Sequence, residues 1–211
     1  MFPFNDECWE LEYFSQDPLA SISQIVQSAQ GPDGSKGGSL ELAGEVDSFI
    51  EIPNDGPLDA TRSITLLAFV YPMGKGGPII CYDKSGLGVQ LCYNGVTSKE
   101  GVLRASFIRR DLLEISDPLE AQVLRLNEWN FVGTSYDYNS GMARLWHNGD
   151  EVKTVYIGER LELATQFPMR IGAVNNPFKG NYFKGRISLL HIYADALTAE
   201  NIRAVGGIRN G

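Results

Sequence analysis

Asn181-Tyr-Phe-Lys-Gly-Arg-Ile-Ser-Leu-Leu-His-Ile-Tyr-Ala-Asp-Ala-Leu-Thr-Ala-Glu-Asn-Ile-Arg203 decides the fold class. Apolar residues fall at Phe183, Ile187 and Leu189, then crowd together at Leu190, Ile192 and Tyr193. The first spacing is that of an amphipathic strand, and the crowding predicts a strand end buried on both faces. A turn follows. Thr198 is then placed to cap a short closing helix, with Leu197 and Ile202 spaced to seat it on a sheet.

Upstream the chain carries more strands of the same kind: Gly38-Ser-Leu-Glu-Leu-Ala-Gly44, Ser48-Phe-Ile-Glu-Ile-Pro53, Ser63-Ile-Thr-Leu-Leu-Ala-Phe-Val-Tyr-Pro72, Trp129-Asn-Phe-Val-Gly-Thr-Ser-Tyr-Asp137 and Ala143-Arg-Leu-Trp-His-Asn-Gly149. Turn residues punctuate the chain at Asn54–Pro57, Gly74–Pro78, Asn94-Gly95, Asn139-Ser-Gly141 and Asn148-Gly-Asp150. Short strands broken this way predict an all-β antiparallel sandwich of two sheets, a jelly roll closed by one helical turn. Residues 7–14 alternate enough to be a first strand. From Asp17 to Gly38 the chain is polar and Gly/Ser-rich, with Gly31-Pro-Asp-Gly-Ser-Lys-Gly-Gly38 a loop and Ala20 to Gln27 a candidate short helix. The 211 residues suit one hydrophobic core, so residues 1–211 are read as a single domain. Trp129 and Trp146 are expected on the inner faces of the sandwich.

In order and spacing these strings resemble the laminin-G-like and pentraxin-like branch of the concanavalin A-like sandwiches, over about residues 37 to 205. The resemblance implies a non-enzymatic, extracellular recognition module. The Tyr182-Phe-Lys-Gly-Arg-Ile187 string and the Gly31-Pro-Asp-Gly34 loop are similar to those of invertebrate extracellular matrix modules, among them nacre matrix proteins of the Pif type. At that depth the implied partners are a matrix polysaccharide, a matrix protein or a calcium carbonate surface.

A net charge of −8 and a pI near 4.8 argue against nucleic acid or an anionic membrane as the main partner, and they permit cations. No stretch approaches the ~20 apolar residues of a membrane span, and the first residues lack the basic flank and apolar core of a signal peptide. Secretion is therefore expected from the resemblance alone. Cys81 and Cys92 flank a ten-residue stretch, and a two-residue turn at Gly86-Leu87 would set them opposite each other on a hairpin. They are then either a disulfide or two unrelated buried thiols. Cys8 is left over.

Catalysis finds little support. Glu45-Val-Asp-Ser-Phe-Ile-Glu51 looks like the acid string of glycoside hydrolases on this type of sandwich, but its spacing is longer. On one regular strand Glu45 and Glu51 would lie about 20 Å apart, whereas retaining hydrolysis needs carboxyls ~5–5.5 Å apart. His147 precedes a turn, His191 lies in the closing strand as an expected core imidazole, and neither has a nucleophile or zinc-ligand partner in a recognisable spacing.

Calcium is the cofactor the resemblance implies. The regions matching the pentraxin ligands are Asp83-Lys-Ser-Gly-Leu-Gly88 and Ile171-Gly-Ala-Val-Asn-Asn-Pro177, where Asn175 and Asn176 stand in place of acids. The sparser laminin-G site would be met by Asp83 or Asp137 with Asn175 or Asn176. Neutral amide ligands predict one weak site, on the order of 10⁻⁴ to 10⁻³ M. Asp137 also heads a turn-forming Asn139-Ser-Gly141, and Asn175-Asn176 precedes Pro177, so turn chemistry is the alternative for each. Finally, Arg104, Arg109 and Arg110 fall on or near one strand and form a candidate anion patch, the alternative being solvated strand charge.

Overall fold

The computed structural model of the chain describes residues 1, 21–22, 26–82, 84, 87–95, 100–174 and 182–208. In chain order the strands are β1 (Ser21–Ile22), β2 (Gln27–Ala29), β3 (Ser39–Ala43), β4 (Ile50–Ile52), β5 (Ile64–Pro72), β6 (Gly76–Tyr82) and β7 (Gln90–Asn94). They continue with β8 (Glu100–Ser106), β9 (Leu119–Arg125), β10 (Asn130–Asp137), β11 (Met142–His147), β12 (Asp150–Tyr156), β13 (Met169–Ile171) and β14 (Lys184–Tyr193), and the chain closes in helix α1 (Ala199–Val205). One antiparallel sheet has the order β1-β4-β13-β6-β7-β8-β9 and the other β12-β11-β10-β5-β14-β3-β2. The expected all-β two-sheet sandwich is the observed architecture. Residues 7–14 lie outside the described set, and where residues 20–27 are described they are strand at Ser21–Ile22 and Gln27, not helix.

Alternation on β5 shows how one strand serves two cores. Leu66, Ala68 and Val70 face the main core between the sheets, with Tyr82, Tyr93 and Phe183 among its largest fully buried members. Leu67 and Phe69 face outward, where Phe131, Trp146 and Ile202 join them in a second, smaller cluster. This outer cluster exists because α1 lies over the sheet. Thr198 caps the helix by accepting from the Asn201 amide at 3.3 Å, and Ile202 is fully buried while Leu197 packs at the edge of the cluster.

The strand in the opening string differs from its expected form in one respect. β14 pairs with β5 in register up to Ser188↔Phe69, then resumes at His191↔Leu67. The extra residue makes a bulge in which Leu189 adopts φ +50°, a left-handed conformation that is uncommon for leucine. Before the bulge Ile187 points to the main core, and after it Leu190 and Ile192 do. The crowded apolar run thus marks a parity switch. It keeps the core face apolar and leaves Ser188 and His191 outside the main cluster.

The tryptophan expectation needs correction. Trp146 is buried at 3% exposure, but in the outer cluster under α1, with its Nε1–H donating to Ser135 Oγ at 2.9 Å. Trp129 precedes β10 and is only half-buried, its ring edge-on to Tyr71 at 5.6 Å between centroids. The causes differ: the second sheet buries apolar side chains on both faces, so burial does not place Trp146 on the inner one, while Trp129 falls before β10 begins and outside both buried clusters.

The stretch Gly74–Pro78 acts less as a turn than expected, because β6 already begins at Gly76. A Cβ at Gly77, where φ is +152°, would come within 2.2 Å of the Phe183 amide nitrogen. Only glycine lets β6 pass this close to the chain entering β14.

Candidate ligand-binding site

The residues expected to carry function lie in separate places. Asp83, Asn175 and Asn176 lie outside the described residues. Asp137 ends β10, and its carboxylate is taken up by its own turn: Oδ1 accepts from the Asn139 amide at 3.0 Å and Oδ2 from the Ser140 hydroxyl at 2.7 Å. The Ser140 hydroxyl, with the turn amides, holds this carboxyl below the usual range. Gly141, at φ +68°, completes the turn by donating to the Asp137 carbonyl. Among the described residues no group of three or more His, Cys, Asp or Glu side chains is gathered as a metal site.

Of the two readings open for Cys81 and Cys92, a disulfide or two thiols, the structure has the thiols. Lys84 and Leu87 exchange backbone bonds at 2.9 and 3.0 Å, so the hairpin closes one residue earlier than a Gly86-Leu87 turn would close it. Moving a turn by one residue moves the register by two, and Cys81 stands opposite Gln90 while Cys92 stands opposite Pro78. Each thiol donates elsewhere, Cys81 to the Tyr82 carbonyl and Cys92 to Gln90 Oε1.

The three arginines do not make an uncommitted patch. β8 ends at Ser106: Phe107 still faces the main core, as Leu103 and Ala105 do, but its amide bonds Ser116 Oγ instead of a ladder partner. Arg104 meets Glu120 of β9 at 3.5 Å, and Arg109 is held by Asp111 at 2.5 Å and Glu114 at 2.6 Å. Arg110 grips Asp59 with both guanidinium nitrogens at 2.7 and 2.8 Å, and the Thr165 hydroxyl adds a bond at 2.8 Å. The Arg110 guanidinium, helped by Thr165, holds the Asp59 carboxyl below its ordinary range. Replacing Arg104 and Arg109 by Ser should therefore leave the salt concentration that elutes the protein from heparin unchanged. Earlier elution of the variant would show that these charges are available to anions.

The acidic string is dispersed as well. Glu45 and Asp47 sit in a turn closed by Ser48 N–H to the Glu45 carbonyl, and Glu51 is on β4. Glu51 Oε2 lies 2.5 Å from Arg170 Nε, and that guanidinium also covers the Phe49 ring at 4.4 Å. His147 Nε2 is 3.0 Å from Asn130 Oδ1 at the β10–β11 end. His191 is 9% exposed and stacks on Tyr193, while its Nε2 meets no hydrogen-bond partner among the described residues.

What the fold does assemble is a cavity of about 480 Å³ on the outer face of the second sheet. Three elements build it: the loop through Pro32, Asp33 and Ser35, the bulge residues Ser188 and Leu189, and the end of α1 at Val205–Gly207. Phe69 supplies an aromatic wall, its ring tilted against Phe131 at 4.7 Å. Asp33 Oδ1 accepts from both the amide and the hydroxyl of Ser35, at 2.9 and 2.5 Å, and the Ser35 hydroxyl is the first cause of a lowered Asp33 pKa. Ser188 Oγ ties β14 to the loop by donating to the Gly38 carbonyl at 2.7 Å. A concave wall with a few convergent polar groups is what small-ligand sites require. Sequence did not mark these residues as a site. The Gly31–Gly38 stretch was readable as a loop with a family resemblance and not as a ligand wall, and the doubled Leu189-Leu190 was the one local sign of the bulge.

A family model described as the concanavalin A-like lectin/glucanases superfamily, the Laminin_G_3 member, matches residues 43–203. The chain belongs to this superfamily. Solved structures show the same sandwich at low identity. A SAP-like pentraxin from Limulus polyphemus is 16% identical with a TM-score of 0.60, covering 79% of this chain and 80% of its own. The Botulinum neurotoxin serotype D ligand binding domain, solved in complex with N-acetylneuraminic acid, is 14% identical with a TM-score of 0.69, covering 93% and 50% respectively. The binding domain of Paraclostridial Mosquitocidal Protein 1 is 15% identical with a TM-score of 0.67, covering 91% and 48%. The chain thus spans about half the length of those toxin binding domains. Among curated proteins none is similar enough in sequence to count as a relative.

Proposed function

We propose that this superfamily domain is a non-catalytic carbohydrate-recognition module whose saccharide sits in the cavity between the 32–38 loop, the β14 bulge and the end of α1. The cavity carries the reading. It sets the apolar wall of Phe69, Leu189 and Val205 beside Asp33, Ser35 and Ser188, and a sugar ring has the same division between an apolar face and a polar rim. The superfamily's description and a toxin neighbour solved with a sialic acid support a glycan ligand. Binding domains as neighbours, and acids dispersed as at Glu45, Asp47 and Glu51, support binding without hydrolysis. We place the module outside the cell in a matrix, with a calcium-mineral surface as a second partner of its acidic exterior; adsorption to calcium carbonate with and without chelator tests that placement.

A glycan array followed by an amide-shift titration with the best saccharide tests the reading. Shifts should cluster at Asp33, Ser35, Phe69, Ser188 and Gly206, and Phe69→Leu should weaken binding while the thermal midpoint stays near wild type. Saccharide shifts clustered elsewhere, with Phe69→Leu binding normally, would move the site. An array without any binding would overturn the reading.

A further inference from the structure

The hydrogen-bond inventory of the cavity wall is one-sided. Ser35 spends both its amide and its hydroxyl on Asp33 Oδ1, and the Gly38 amide donates to the Ser35 carbonyl at 3.4 Å. The Ser188 hydroxyl donates to the Gly38 carbonyl at 2.7 Å. At the helix end the Gly206 amide donates to the Ile202 carbonyl at 3.0 Å and the Gly207 amide to the Ala204 carbonyl at 3.2 Å. Pro32 has no N–H to give. What these groups keep for a guest is acceptors: hydroxyl lone pairs, backbone carbonyls and the Asp33 carboxylate, the one ionised side chain among the described lining residues. Lys36 lies on the same loop but lines a separate cavity of about 260 Å³ with Ser28, Gln30 and Gly37.

An acceptor-rich wall selects a donor-rich ligand. An acidic sugar would bring a carboxylate or sulfate to a wall that already holds a carboxylate and whose Ser35, Gly38, Ser188, Gly206 and Gly207 donors are engaged, and like charges placed together act against a ligand. A protonated amine brings three donors and the complementary charge.

We propose that the saccharide unit taken by this cavity is an amino sugar, a 2-amino-2-deoxyhexose. Its ammonium meets Asp33, its hydroxyls donate to the wall, and its apolar face lies on Phe69, Leu189 and Val205. This rests on the carbohydrate reading above and names the class of sugar. Asp33 is exposed, so the ion pair is of the surface kind and sets a modest preference. Glucosamine should bind about two- to fivefold more tightly than methyl glucoside at low salt, with the difference shrinking as sodium chloride rises.

The experiment is an amide-shift titration with glucosamine, methyl glucoside and glucuronate, on wild type, Asp33→Asn and, as a control on the same acidic exterior, Asp117→Asn. The expected result is a glucosamine preference that Asp33→Asn abolishes and Asp117→Asn retains, with glucuronate weakest. Equal binding of glucosamine and glucoside at Phe69 and Ser188, or tightest binding of glucuronate there, would overturn the amino-sugar inference and leave the carbohydrate reading standing. A preference that survives in Asp33→Asn would also overturn it, assigning the effect to the net charge of −8. If none of the sugars shifts the cavity amides, the carbohydrate reading itself falls, and the inference with it.

Discussion

Trp146→Ala is expected to lower stability by about 3–5 kcal/mol, the cost of removing a large buried aromatic side chain whose surroundings cannot collapse to fill the space. Trp146 is 3% exposed, is packed with Leu67, Phe131 and Ile202 under α1, and donates to Ser135 Oγ. Truncation would open a cavity and strip Ser135 of its indole partner. For a chain of this size the change corresponds to a drop in Tm of roughly 10 °C. Trp129→Ala should cost far less, about 1 kcal/mol, because that ring is half-buried and meets Tyr71 edge-on. Denaturant midpoints separate the two cases, and equal losses would contradict the placement of Trp146 beneath the helix.

The second large effect is a pH dependence centred on His191. Burial, with the positive amino group of Met1 adding to it, lowers its pKa to about 4 from the ordinary 6.5. Above pH 6.5 the imidazole is neutral in both folded and unfolded chains and contributes nothing to the balance. Between pH 6.5 and 4 the unfolded chain binds a proton that the folded chain refuses, so stability falls as the pH falls. The total is on the order of 3 kcal/mol by pH 4. His191→Phe should remove this component. Wild type should be more acid-sensitive than the variant by that amount between pH 7.5 and 4, and superimposable pH profiles would contradict it. The stack on Tyr193 makes Phe a fitting replacement, since it keeps a ring there and removes the Nε2 that meets no partner among the described residues.

The fold was legible wherever local pattern and global packing agreed. The closing strand, the Thr198 cap, the Asn139-Ser-Gly141 and Asn148-Gly149 turns and the two-sheet class all follow from period, capping and turn chemistry. Legibility ended where a one-residue offset carried the information. The Cys81–Cys92 pairing stayed undecided in sequence because turn residues alone left two turn positions open, and the hairpin closes at Lys84 and Leu87. At Leu189-Leu190 the apolar run read as burial on both faces, because a bulge and a doubly buried strand end leave the same residues side by side. The arginines read as a patch since alternation was extended past Ser106, where the strand ends and the Arg109 and Arg110 amides bond the Glu114 and Glu162 carbonyls instead of a ladder partner. The cavity was invisible for a different reason: its walls come from residues 32–38, 69, 188–189 and 205–207, distant in sequence and chemically ordinary one by one.

The outer cluster under α1 gives the molecule a hinge in its energetics. It is smaller than the core between the sheets, and elements held by few buried apolar contacts open at lower free energy than the body of a domain. The closing helix can therefore lift from the sheet as a subglobal event, uncovering Trp146 while the sandwich stays folded. Val205–Gly207 form one wall of the cavity and Phe69 of the sheet another, so a guest seated there bridges the lifting part and the fixed part. By mass action its occupancy holds the helix down. Slowed amide exchange along 199–207, far in sequence from the loop that touches the sugar, would then report that the cavity is filled.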